Sequence, residues 1–348
     1  MTGPRDSALL KRERRTRSTI VIALLANLLI VVAKAIGGLV TGSPALLSEA
    51  AHSVADSVNE LFLLAGVNQS SRQPDAKHPF GYGKARYFYS MLAAVGIFVM
   101  GGCFSLYQGL RALRSETATA HFYVAFAVLG VSLLADSCSL LRATWQLHGL
   151  ARSQRRRFAQ VLRDPGDTTL ATILAEDSTA VIGVLLATLG LWLHALTGSA
   201  MPEGIASIAI AVLLAFTAWR LGRSAEALLI GQAADPALIR QAYLALDSEP
   251  EVDTILAFLT MRMGIDTVML AARIDLSDGL DSDAVEAVCG RIKNSLSERF
   301  PALEQIFLDI TDATEADRQA AARLRRRLQA GHHHDTGTPA NLAQTRQR

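Results

Sequence analysis

The sequence predicts an all-α membrane bundle of six transmembrane helices, followed by a small cytoplasmic α+β domain of ferredoxin-like αββαβ order. Half of the 348 residues are hydrophobic and only 19% are charged, a balance that leans towards a membrane protein. Six apolar stretches precede residue 232, each close to the roughly 20 residues that a hydrocarbon core of about 30 Å requires. After "LGRSAEALLIGQAADP" the composition changes to that of a soluble domain.

The six stretches lie near 18–40, 45–67, 88–112, 122–146, 168–194 and 204–229. The first follows the basic "KRERRTR". Its apolar run is too long for a signal-peptide core and has no AxA-like cleavage site close behind it, so it reads as a span that stays. The second and fifth are the weakest by hydropathy, since they carry Glu49, His52, Asp56, Asn59 and Glu60, and Glu176 and Asp177. Ionisable side chains in a span are costly and mark function by default.

Lys and Arg near span ends favour the cytoplasmic side. The N-terminal segment, the loop "SRQPDAKHPFGYGKAR" and the loop "ARSQRRRFAQVLR" are basic, whereas "TGSPA" and "HALTGSAMPEG" contain neither residue. Arg111 and Arg114 cut slightly against this pattern. Both termini are therefore expected in the cytoplasm of a multi-pass protein. The expected divisions are a basic N-terminus (1–16), the transmembrane domain (17–231), the αββαβ domain (232–314) and a disordered tail (315–348). A net charge of +2 gives no reason to expect a nucleic-acid partner. Cys103, Cys138 and Cys289 have no metal or redox spacing and read as packing residues. Without HExxH, GxSxG or a nucleophile placed beside a base, an enzyme is not expected.

Within the last domain, residues 235–247 have helical spacing after a DP start, and "VDTILAFLTMRM" and "DTVMLAARIDL" alternate like strands around Gly264. Residues 281–299 read as an amphipathic helix stopped by Pro301, and "LEQIFLDI" as a last strand. The tail, rich in Arg and Gln and containing "HHHD", has a disordered composition; its histidines could hold a metal ion loosely.

His52 and Asp56, four apart on one helix face, could share an ion or brace the bundle through an intrahelical hydrogen bond. Glu49 shares that face. Glu176 and Asp177 point about 100° apart, so one could line a site while the other meets a neighbouring helix. Nitrogen plus carboxylate oxygen in a set of three or four suits Zn²⁺, and also Mn²⁺, Fe²⁺ or Co²⁺. Small residues nearby (Ser48, Ala51, Ala55, Ser178, Ala180) would let the second and fifth helices approach. Asp136 and Glu60 could each help a proton or ion path, Asp136 could equally pair with Arg142 or a helix neighbour, and His121 and His194 read as interfacial residues.

The six-span plan, "LLSEAAHSVADS", "KHPFGYGKARYFY", "ILAEDSTAVIG", "LLIGQAADP" and the αββαβ tail together resemble the cation diffusion facilitator family over residues 17–312. Within it they are most similar to the branch containing the animal zinc transporter nine and its bacterial relatives. The resemblance implies a homodimeric secondary transporter, without a prosthetic group, in the bacterial inner membrane. It would export divalent metal, chiefly Zn²⁺, in exchange for protons by alternating access. It also implies a site of two residues from span two in (H/D)xxxD spacing, matched by His52 and Asp56, and two from span five in HxxxD spacing. Asp177 matches the second of these, but Ile173 stands where the fourth ligand would be. Water, Glu176 or Glu49 could complete the set. A second, loop site in some relatives matches Asp75 and His78, with Tyr82 at its third position. A turn shaped by Pro79, Gly81 and Gly83 is the other reading. A non-transporting scaffold or sensor with a degenerate site is the alternative function.

Overall fold

In the computed structural model the described residues are 28–114, 119–153 and 168–329. The chain divides into two compact units, Met1–Gln232 and Ala233–Arg348. The N-terminal basic segment, residues 18–27 of the first expected span, the loop from 154 to 167 and the "HHHD" stretch lie outside the described residues.

The first unit is helical: α1 Leu28–Thr41, α2 Pro44–Ser70, α3 Ala85–Arg114, α4 Phe122–Ser153, α5 Thr168–Thr197 and α6 Met201–Ile230. Among the described residues, four stretches are long and apolar enough to cross a membrane: Ala85–Arg114, Phe122–Gly149, Leu174–Thr197 and Met201–Ile230. Two of the six expected spans are not among them. α1 is apolar but short in its described part. α2 has length enough at 27 residues, but Glu49, Asp56 and Glu60 crowd its middle.

Local chemistry sets the helix ends. Ser43 caps α2 by accepting from Leu46 N at 3.3 Å, with Pro44 preset for the first turn. The core between helices is built from Leu46, Leu129, Leu191, Ile210 and Leu214, while Val131, Leu134, Trp145, Val212 and Phe216 face outwards. An apolar outer surface around a packed interior suits lipid as the solvent.

α3 is not a regular helix. Residues Ile97–Cys103 are π-helical, and a Cβ on Gly101 would lie 2.9 Å from Leu214 of α6 and 3.7 Å from Ala55 of α2. The bare backbone thus lets three helices meet beside Asp56, and π segments concentrate at such functional places. Cys103 and Cys138 are exposed and Cys289 is only partly buried. The first two therefore do not pack the interior, contrary to the expectation for all three.

His194 is not an interfacial residue either. It is buried, and its Nδ1 meets Glu203 Oε1 at 2.5 Å. Ser43 Oγ donates to the other carboxylate oxygen, and Thr119 Oγ1 donates to Glu203 Oε1 at 2.9 Å. One fully buried carboxylate so joins the α1–α2 turn, the segment before α4, the end of α5 and the start of α6.

The second unit follows the order α7 Pro236–Asp247, β1 Val252–Arg262, β2 Val268–Leu276, α8 Ser282–Arg299, β3 Leu303–Ile310 and α9 Glu315–Gln329. The strands are ordered β1-β2-β3, β1 antiparallel to β2 (Phe258 opposite Ala272) and β2 parallel to β3 (Leu270 opposite Ile306). A parallel pair needs a crossover, which α8 supplies. Asp235 and Asp281 cap α7 and α8 by accepting from Ala237 N at 2.7 Å and Ala284 N at 2.8 Å. The αββαβ order is present, with a core of Tyr243, Leu246, Ile255, Leu270, Ile274 and Ile292.

Residues 315–329, expected to be disordered, form α9 instead. Its arginines are anchors: Arg318 reaches Asp253 at 3.1 Å and Asp275 at 3.2 Å, and Arg325 reaches Asp247 at 2.8 Å. Buried Ala321, with Leu324 and Leu328 against the core, supplies an apolar stripe that the arginine-rich composition hides.

Candidate metal site

The site is built on the middle of α2. One helical turn places Glu49, His52 and Asp56 on a common face, and they divide around the imidazole. His52 Nε2 lies 3.4 Å from Asp56 Oδ2, whereas Nδ1 lies 3.9 Å from Glu49 Oε1. His52 and Glu49 are buried, while Asp56 keeps about a third of its side chain exposed, at 34%. The two carboxylates are therefore not equivalent: Asp56 is open on the Nε2 side, and Glu49 is enclosed behind the ring.

Lys34 of α1 decides what Glu49 does. It is 2% exposed, and Glu49 is 0% exposed. Lys34 Nζ donates to Glu49 Oε2 at 3.1 Å and to Ser53 Oγ at 3.0 Å, and lies 3.9 Å from Asp136 Oδ2 of α4. Asp136 thus meets a helix neighbour and not Arg142. Lys34, His52, Ser53, Asp56 and Asp136 bound a cavity of about 20 Å³, room for one water-sized occupant.

α5 closes the other side. Glu176 accepts from Asn59 Nδ2 of α2 at 3.3 Å, and Asp177 accepts from Ser139 Oγ of α4 at 3.0 Å. The expected divergence of the adjacent acids is what the helix delivers, one facing α2 and one facing α4. Both lie within electrostatic range of Asp56. Ala180 of α5 lines the cavity. Among the described residues, no three His, Cys, Asp or Glu side chains converge tightly enough to hold an ion in this conformation. The side chain of Ile173 lies outside the described residues.

Lys34, Ser53 and Ser139 did not emerge from the sequence. Lys34 carried a signal, as a charged residue inside the first apolar stretch; the two serines carried none, because small hydroxyl residues are ordinary in packed membrane helices.

In the loop before α3, Asp75 and His78 are brought together at 3.4 Å, but both carboxylate oxygens are already engaged. Tyr82 donates its hydroxyl to Oδ2 at 2.7 Å, and the backbone N–H groups of His78 and Lys77 reach Oδ1 at 2.8 and 3.0 Å. The tyrosine hydroxyl and these amides hold the Asp75 carboxyl below the usual carboxylate range, and the same bond raises the Tyr82 phenol. His78 stacks on Tyr82 with centroids 4.2 Å apart, and Arg72 lies over the ring at 5.2 Å. Tyr82, at the third ligand position, closes a turn in the described structure.

A helical unit with four helices of membrane-crossing length carries a His and carboxylate pair in its interior beside further acids, donor types that can serve a divalent cation. The model of the cation efflux transmembrane domain matches residues 20–230, and the chain belongs to that family, the cation diffusion facilitators. It is 31% identical over 275 residues to the proton-coupled zinc antiporter SLC30A9, mitochondrial, of Xenopus laevis, covering 79% of this chain and 49% of that protein. The human protein of the same name is 30% identical over 257 residues, covering 74% and 45%. The manganese efflux system protein MneP of Bacillus subtilis is 26% identical over 306 residues, covering 86% and 97%. The chain spans about half the length of the antiporters it matches.

Proposed function

We propose that the chain carries divalent metal cations, Zn²⁺ foremost, out of the cytoplasm in exchange for protons. His52 through Nε2, Asp56 and Asp177 are the ligands, with Glu176 beside them as the fourth. The observation that carries this reading is the His52–Asp56 pair on α2, lining a small polar cavity with Lys34 and Asp136, with Glu176 and Asp177 of α5 within electrostatic range of Asp56. Imidazole and carboxylate must shed protons to bind a metal, so protons and the ion compete for the same lone pairs. That competition is the chemical basis of exchange, and rocking of α2 and α5 would open the site to either side in turn. The printed names of the relatives, a zinc antiporter and a manganese efflux protein, support a divalent substrate.

The same reading includes six spans, a ferredoxin-like second domain, both termini in the cytoplasm of a bacterial inner membrane, and a homodimer. The dimer reading is supported by the apolar row Leu259, Ala271 and Phe307, in one register across the sheet, with Leu259 and Phe307 exposed. The test is uptake of Zn²⁺, Mn²⁺, Fe²⁺ and Co²⁺ into inside-out vesicles under an imposed pH gradient. Asp56→Ala and Asp177→Ala should abolish uptake while the protein still inserts; normal uptake by both would overturn the assignment. The absence of three converged ligands among the described residues favours one second reading, a scaffold or sensor, for which wild-type vesicles would show no metal-dependent flux.

A further inference from the structure

We propose that Lys34 and Glu49 form a buried positioning couple: Glu49 holds His52 from behind, and Lys34 keeps Glu49 from becoming a metal ligand. This inference rests on the transport reading of the same site. The order Lys34–Glu49–His52–Asp56 crosses the imidazole from one nitrogen to the other. Lys34 Nζ donates to Glu49 Oε2 at 3.1 Å, Glu49 Oε1 faces Nδ1 at 3.9 Å, and Nε2 faces Asp56 at 3.4 Å. A histidine that offers one nitrogen to an ion ordinarily donates its other N–H to a carboxylate, which fixes the ring and its tautomer.

Two observations support that role independently. Glu49 Oε1 is buried and accepts no hydrogen bond among the described residues, a costly state for a carboxylate oxygen that an N–H on Nδ1 would relieve by closing the 3.9 Å gap to hydrogen-bond distance. Gly183 of α5 leaves just enough room for that oxygen, since a Cβ there would lie 2.5 Å from Oε1 and 3.5 Å from His52 Nδ1. Ser53 fixes the ammonium from a third direction, so Lys34 is held against Glu49.

Charge follows from this geometry. With Lys34 in place, Glu49 is neutralised and the ion meets one imidazole and the carboxylates of Asp56, Asp177 and Glu176 with no further acid, a mixed nitrogen and oxygen donor set that suits Zn²⁺. Without Lys34, Glu49 loses the partner that holds it behind the ring and can swing towards the ion, and Asp136, which already lines the cavity, loses its cation; both then add hard oxygen donors, which favours Mn²⁺.

The experiment uses the purified full chain in proteoliposomes, with Zn²⁺ and Mn²⁺ as the probes. Lys34→Gln should raise the Mn²⁺-to-Zn²⁺ uptake ratio by roughly tenfold or more, the size expected when a partner behind a ligand is lost. Lys34→Arg should keep the wild-type ratio, and Lys34→Gln with Glu49→Gln should return to it. A residue that only braced the bundle would lower both fluxes together, and an unchanged ratio in Lys34→Gln overturns the proposal. If Lys34→Gln fails to insert, Glu49→Gln is compared with the double variant. The unpaired ammonium of the single variant should raise KM for Zn²⁺ above that of the double, and equal values overturn the proposal. Loss of all uptake by the wild-type chain would instead sink the transport reading itself.

Discussion

Gly183 and Glu49 are matched across the α2–α5 contact: the missing side chain of one is the space that holds the carboxylate of the other, 2.5 Å from where a Cβ would stand. Gly183→Ala should therefore separate stability from activity. Ala is favoured over Gly in a helix by about 1 kcal/mol, which offsets part of the roughly 1–3 kcal/mol of an overpacked contact. The carboxylate must move, and with it the support of His52. The expected outcome is a thermal midpoint close to wild type and a raised KM for Zn²⁺, read from vesicle uptake and thermal unfolding of the same preparations. An unchanged KM would show that Glu49 has slack.

Glu203→Ala should destabilise the bundle without touching the metal site. It strips acceptors from His194, Thr119 and Ser43, and each buried polar group left unpaired costs about 1–3 kcal/mol. Thermal unfolding in detergent should show a clear loss of midpoint. Glu203→Gln, which can still accept through its amide oxygen, should recover part of it. If alanine is as stable as wild type, the cluster is not holding these helix ends together.

A pH dependence is expected in the second unit, where Arg291 Nη2 donates to Glu251 Oε2 at 2.5 Å. That hydrogen bond lowers the Glu251 carboxyl below its ordinary value of 4.5. A depressed carboxyl contributes stability that is present above the unfolded value and is lost as pH falls through the folded one. Amide-exchange protection of β1 and α8 should thus be weaker in Arg291→Ala than in wild type at neutral pH. The gap should close as the pH falls through the lowered Glu251 value and the carboxylate is protonated in both proteins. A gap that persists in acid would mean the arginine acts by packing.

Much of this was legible in the sequence because the signals are local. Apolar runs of span length, the DP start of α7, the amphipathic spacing of α8 and strand alternation each depend on neighbours a few residues away. His52 with Asp56, and the divergence of Glu176 from Asp177, follow from helix geometry alone. Composition misled at α9, where arginines that look like a solvated tail are anchors on three acids, and at His194, whose partner Glu203 lies across a turn.

What the sequence by itself determined is the helical membrane unit, the αββαβ order behind it, and the polar and acidic residues that gather on α2 and α5. Only the tertiary structure decided which face of the imidazole each carboxylate occupies, that Lys34 claims Glu49, that a π segment brings Gly101 beside Ala55, and that Tyr82 completes a turn. The physical reason is the same in each case. A buried charge is tolerable only with a partner, and partners such as Lys34 for Glu49 come from helices whose separation in sequence says nothing of their contact in space.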